Sequence, residues 1–77
     1  MKDLALYYKP ECPFCQKVLG FLDENNIEIE LRNIHEGDNE KDLKDLGGKA
    51  QVPGLLKDGK ILYESSDIIN YFKENLL

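Results

Sequence analysis

The sequence predicts an α/β protein in which three helices flank a four-stranded mixed sheet, in the order β-α-β-α-β-β-α. Three stretches carry that expectation. Residues 4–8 form an almost unbroken apolar run closed by Lys9-Pro10, as expected of a central strand covered on both faces. Ile27-Glu28-Ile29-Glu30-Leu31 alternates strictly, as does a strand with one buried and one wet face at a sheet edge. Asp58-Gly59, flanked by residues 52–57 and 61–64, is a strong short-range signal for a two-residue hairpin turn with positive φ. A short βαβ opening should cross over right-handedly, leaving helices on both sides of the sheet.

The helices follow from periodicity and from their ends. Pro10 and Pro13 confine the chain after the first strand, and Pro13 suits a first helical turn, where its missing N–H has no partner anyway. Phe14 or Cys15, with Val18, Leu19 and Leu22, then repeat on one face up to a stop at Asn25-Asn26. Asp38 or Asn39 is placed to cap a second helix that runs through Leu43 and Leu46 to Gly47-Gly48. Ser65-Ser66-Asp67 offers capping oxygens and an acidic first turn to a last helix whose apolar face is Ile68, Ile69, Phe72 and Leu76.

A chain of 77 residues suits one domain, 1–77, that hides only about 60% of its unfolded surface, so its core must be tight. Ten Lys and Arg against fifteen Asp and Glu give a net charge of −5. That balance argues against a nucleic-acid surface, which needs clustered cations, and favours solubility. The apolar run near the start is too short for a signal-peptide core or a membrane span, so a cytoplasmic protein with no membrane partner is expected.

The two cysteines, Cys12 and Cys15, carry the chemistry. Two are too few for the disulfide framework of a small secreted domain, and in a reducing compartment a pair at this spacing points to catalysis or to metal. Zinc would need His35 and an acidic group to complete the set, without a second Cys or His pair, so no metal is expected. At a helix start the two sulfurs can reach each other and close a redox-active disulfide. Cys12 lies just before the helix, where unpaired N–H groups and the positive dipole end favour a thiolate, and Cys15 lies one turn inside, more shielded. Cys12 is thus the expected nucleophile and Cys15 the resolving thiol. An ordinary thiol of pKa about 8.5 is only about 3% thiolate at pH 7, so the site must shift it. Lys9 would help, and Glu11 would oppose if its carboxylate lay close. His35, alone in a polar stretch, reads as a surface residue.

Lys9-Pro10-Glu11-Cys12-Pro13-Phe14-Cys15 resembles the Lys-x-x-Cys-Pro-Tyr-Cys motif of the glutaredoxin family, with Phe14 in the Tyr place and so without its hydroxyl. Gly48 to Pro53 is similar to the segment that ends in that family's cis-proline. The resemblance runs through nearly the whole chain and implies a minimal thioredoxin fold. Tyr63-Glu64-Ser65-Ser66-Asp67 departs from the commonest glutaredoxin form and looks closer to the Glu-Ser motif of glutathione S-transferase N-terminal domains.

By this resemblance glutathione is the co-substrate, and no cofactor is tightly bound. Its cysteine would align on the Val52 backbone beside Pro53 and near Phe14, while Lys9, Lys49 or Gln51 meets the glycine carboxylate. Ser65 and Ser66 would hold the γ-glutamyl carboxylate at a helix N-terminus, with Glu64 or Asp67 as partner of the amine. The implied protein is a monomeric thiol-disulfide oxidoreductase acting on disulfide-containing or glutathionylated proteins. One alternative is a thioredoxin-like reductant recharged by a flavoprotein reductase. Another is a glutathione-ligated iron–sulfur carrier, against which Pro13 counts, since by resemblance cluster binders place a smaller residue there.

Overall fold

β1 (Ala5–Tyr8) lies inside the sheet because Ala5, Leu6 and Tyr7 are apolar enough to be covered on both faces. The structure, a computed structural model, describes residues 4–75. The further elements are α1 (Pro13–Glu24), β2 (Glu30–Asn33), α2 (Asn39–Gly47), β3 (Gly54–Lys57), β4 (Lys60–Tyr63) and α3 (Ser65–Asn75). The strands stand in the order β2-β1-β3-β4, with β1 parallel to β2 and the other pairs antiparallel. This is the predicted mixed sheet in the predicted element order. Leu76, expected on the face of α3, lies outside the described residues.

α1 begins with Pro13 in its first turn, and of the two candidates for its inner face Cys15 is buried whereas Phe14 is 63% exposed. Its C-cap is Asn25, Asn26 turns left-handed at φ 55°, and the Ile27 N–H donates to Leu22 O at 2.9 Å. That bond corrects the expected start of the second strand. The Ile27 amide closes the helix, a 6→1 link that leaves it out of a ladder, and pairing with β1 starts only at Glu30 opposite Ala5. Ile27 and Ile29 still pack against the core, so the alternation reports burial without marking the strand. β2 runs on to Asn33, two residues past the alternating stretch, and Leu31 is 49% exposed at this edge.

α1 and α3 cover one face of the sheet around Leu4, Leu6, Val18, Leu22, Leu55, Ile68 and Phe72. The Phe21 and Phe72 rings stack at 6.4 Å. On the opposite face Tyr7, Gly54 and Tyr63 stand in register across three strands, under Leu43 of α2. A Cβ on Gly54 would sit 3.0 Å from Leu43 Cδ1, so glycine there lets α2 approach. Leu43 is buried, whereas Leu46, the other leucine of this helix, is 44% exposed. Asp38 occupies the N-cap of α2 without a side-chain bond, and the Asn39 amide instead donates to Asn33 O at 2.9 Å. Gly48 ends the helix left-handed at φ 88°.

Asp58 and Gly59, at φ 51° and 78°, form the expected hairpin turn with Lys57 opposite Lys60. β3 is shorter than residues 52–57, since Val52 and Pro53 precede it, and β4 is shifted by one from residues 61–64, beginning at Lys60 and leaving out Glu64 at φ 72°. No helix among the described residues is long and apolar enough to cross a membrane.

Candidate active site

The sheet register gathers the predicted site residues at one end. Tyr7 pairs with Gly54 and Gly54 with Tyr63, while Tyr8 pairs with Asn33. The exit of β1 toward Lys9–Cys15, the entry to β3 through Val52-Pro53, the exit of β4 toward Glu64–Asp67 and the exit of β2 toward His35 therefore share that end. Ligand sites of open α/β sheets lie beyond the strand ends in this way.

Cys12 is the N-cap of α1, with extended backbone (φ −88°, ψ 119°), and its Sγ accepts the Cys15 N–H at 3.4 Å. Sulfur thus takes the place of the capping oxygen of Ser or Asp. Desolvation pushes the Cys12 thiol up, but the Cys15 N–H, the Cys15 thiol, the Phe14 N–H and the Lys9 charge outweigh it and hold Cys12 below the ordinary thiol value. Cys15 has the opposite balance: fully buried, with desolvation as the leading cause, it is pushed up to about 12. The two thiols are not joined. Iodoacetamide should therefore label Cys12 first, with a rate midpoint below that of an ordinary thiol. Faster labelling of Cys15, or a Cys12 midpoint above 8.5 or so, would contradict this.

Glu11 and His35 meet, a pairing that neither stretch of sequence announces. His35 Nε2 donates to Glu11 Oε2 at 2.8 Å, across 24 positions of chain. The Glu11 carboxyl is held below its ordinary value, first by a backbone N–H and then by His35. His35 is exposed, as expected, but it is not an isolated surface residue, and Glu11 is engaged by it instead of standing free beside Cys12. Gln16, unnoticed in the sequence, donates through Nε2 to Pro10 O at 2.8 Å, and the Cys12 N–H donates to Lys9 O at 3.2 Å. Neither Gln16 nor the His35 pairing has a local sequence signal, since each depends on how loop and helix meet.

The Val52–Pro53 bond is cis, and Pro53 is buried while Val52 is half-buried. Lys49 and Gln51 are exposed. Lys49 Nζ lies 4.8 Å from the Tyr63 ring centroid, and Gln51 Nε2 donates to Glu64 Oε2 at 3.3 Å. Tyr63, absent from the predicted set, donates through its hydroxyl to Lys49 O at 2.7 Å and so anchors this segment. Ser65 is the first residue of α3, so Ser65, Ser66 and Asp67 occupy its first turn. The residue directly before the helix is Glu64, at φ 72°. Phe14 is exposed beside the dithiol.

A reduced Cys-x-x-Cys pair at the start of α1, on this sheet order and beside a cis-proline loop, defines the thioredoxin-fold class. The family model for the glutathione S-transferase N-terminal domain matches residues 6–76. Glutaredoxin 1 of Rickettsia prowazekii (strain Madrid E) is 34% identical over 80 residues, which cover 100% of this chain and 84% of that protein. The chain belongs to this family, as a glutaredoxin-like member with the thioredoxin fold. Among solved structures, glutaredoxin 2 from Salmonella typhimurium in complex with glutathione matches with a TM-score of 0.79 and 35% identity, over 99% of this chain and 34% of that one. A thioredoxin-like protein shares the fold at a TM-score of 0.76 and 24% identity, over 96% of this chain and 99% of that one. The chain thus spans about a third of the Salmonella structure.

Proposed function

We propose that the chain is a glutathione-dependent thiol-disulfide oxidoreductase that reduces glutathione mixed disulfides and protein disulfides. The observation that carries this reading is the asymmetry of the dithiol: Cys12 Sγ caps α1 and accepts the Cys15 N–H at 3.4 Å, with the Lys9 charge favouring its thiolate, whereas Cys15 is fully buried one turn inside the helix. Cys12 thiolate attacks the glutathione sulfur of a mixed disulfide, a Cys12–glutathione bond forms, and the protein thiolate leaves and takes a proton. A glutathione thiolate then attacks that bond, releasing oxidised glutathione and restoring Cys12. With a protein disulfide as substrate, Cys12 attacks one sulfur and the other leaves as a thiolate that takes a proton; Cys15 then loses its proton to solvent and attacks Cys12, the Cys12–protein bond breaks, and the second protein thiolate leaves and is protonated. The resulting Cys12–Cys15 disulfide is reduced by two glutathiones.

The resemblance supplies the pose. An extended peptide pairs with the Val52 backbone beside Pro53, with Phe14 flanking the sulfur. Lys9, with Lys49 or Gln51, receives the glycine carboxylate, and Ser65 and Ser66 with the free N–H groups of α3 receive the γ-glutamyl carboxylate, with Glu64 or Asp67 as the partner of its amine. Gln51 would exchange its bond to Glu64 for one to the ligand. The glutathione held by the Salmonella relative supports the choice of peptide. The family model is that of a transferase, but a transferase has no use for a second thiol one turn from a thiolate, and a redox cycle does.

A coupled assay with glutathione, glutathione reductase and a glutathione mixed disulfide tests the proposal. Turnover is expected with glutathione, together with a potential of about −200 to −230 mV. No turnover with glutathione, recharging by a thioredoxin reductase and a potential near −270 mV would replace it with the thioredoxin-like reading.

A further inference from the structure

The loop that presents Cys12 is pinned from two sides. From α1, Gln16 holds Pro10 O, and from the loop after β2, His35 holds Glu11. His35 is itself placed by a small network. Its N–H donates to Asn33 Oδ1 at 2.9 Å, the Glu36 N–H donates to Asn33 O at 3.0 Å, and the Asn39 side chain donates to the same carbonyl. The Ile34 N–H donates to Tyr8 O at 2.9 Å, tying the start of that loop to the end of β1. His35 therefore reaches Glu11 from a fixed base, whereas Glu11 sits on the residue directly before the nucleophile. A carboxylate in that position raises a thiol pKa when it faces the sulfur, because two negative charges then share the site.

We infer that His35 is a positioning residue for Cys12: it captures the Glu11 carboxylate, so that Lys9 is the charge the sulfur meets and the neighbouring acid is held elsewhere. The inference rests on the oxidoreductase reading for its purpose, because a redox nucleophile is what gains from the arrangement. The titratable groups that act on Cys12 are Lys9 on its own loop and Cys15 on α1, and the adjacent Glu11 is bonded to His35 from the loop after β2. Of these, Glu11 is the acid next in sequence to the sulfur, and His35 fixes the direction of its carboxylate through the 2.8 Å contact. Both partners are more than half exposed, so the effect is modest in size and sensitive to salt.

The test is a double-mutant cycle read by iodoacetamide labelling of Cys12 against pH, on the reduced chain with the variants His35→Ala, Glu11→Gln and both together. His35→Ala is expected to slow labelling at neutral pH about threefold and to move the midpoint upward. Glu11→Gln should leave the midpoint unchanged or lower it. The double variant should behave as Glu11→Gln alone, because without the acid there is nothing for His35 to hold. Unchanged labelling in His35→Ala overturns the inference, and so does an equal slowing of His35→Ala in the Glu11→Gln background. A variant that merely destabilised the fold would expose Cys15 and label both thiols, which peptide mapping distinguishes. Labelling does not depend on glutathione, so an inactive coupled assay with an intact cycle would remove only the functional reading.

Discussion

Cys12→Ser is expected to lower turnover of glutathione mixed disulfides by more than about a thousandfold, while Cys15→Ser keeps most of it. The difference follows from the environments of the two sulfurs. Cys12 stands at the helix N-cap with the Cys15 and Phe14 N–H groups and Lys9 supporting its anion, whereas the Cys15 thiol is fully buried and pushed up to about 12. When Cys12 is removed, a thiol of that kind is almost wholly protonated at pH 7 and does not face solvent, so it cannot take over the attack. When Cys15 is removed, glutathione still resolves the Cys12 mixed disulfide from solution. Reduction of a protein disulfide should suffer in both variants, because there the internal attack of Cys15 competes with back-reaction by the tethered protein thiol. Initial rates with a small mixed disulfide and with a protein disulfide, on both variants, check this. Equal loss with both variants on the small substrate would mean that the dithiol route carries all turnover. Retention by Cys12→Ser would reverse the assignment of nucleophile.

What was legible in the sequence depended on how local its cause was. The hairpin could be read because Asp58-Gly59 alone accounts for two positive φ angles, and the start of α1 because Pro13 and the cysteine spacing lie within one turn. β2 was misplaced because alternation records which side chains are covered, not which amides are free. Ile27 has a covered side chain, yet its amide is already bonded to Leu22. The partner of Glu11 is not legible in the sequence for a related reason. That partner, His35, is 24 positions away, and nothing in either local stretch tells that β2 returns the chain beside the dithiol. Once β1 and β2 are known to be parallel with Tyr8 opposite Asn33, the meeting follows. Residues at the far end of an aligned sheet are therefore where sequence reasoning should look first for partners of a loop acid. Ser65 and Ser66 illustrate a milder version: the helix start was recognised, but the residue outside it is Glu64, turned left-handed, so the serines fall within the first turn.

Gly47→Ala should destabilise the protein even though alanine is the better helix former. Gly47 is the last residue of α2, and replacing glycine by alanine in a helix ordinarily gains up to about 1 kcal/mol. Here a Cβ would collide with the Tyr63 hydroxyl and lie 2.8 Å from Tyr63 Cζ and 3.0 Å from Ile61 Cβ. The ring cannot move aside freely, because its hydroxyl is bonded to Lys49 O and Lys49 Nζ lies over its face. Overpacking of this kind costs about 1–3 kcal/mol, which outweighs the propensity gain. In a domain of this length each kcal/mol lost lowers Tm by about 4–8 °C. Urea denaturation should show a lower midpoint with an unchanged slope. The same substitution in a Tyr63→Leu background should cost less, since the clashing atoms are gone. A functional signature should accompany the loss, because Tyr63 anchors the segment that leads through Lys49 and Gln51 to Pro53. KM for glutathione is expected to rise more than kcat falls, while iodoacetamide labelling of Cys12 stays as in the parent. An unchanged or raised Tm would show that Tyr63 yields at no cost. A changed labelling rate would show that the damage reaches α1 and is not confined to the loop between α2 and β3.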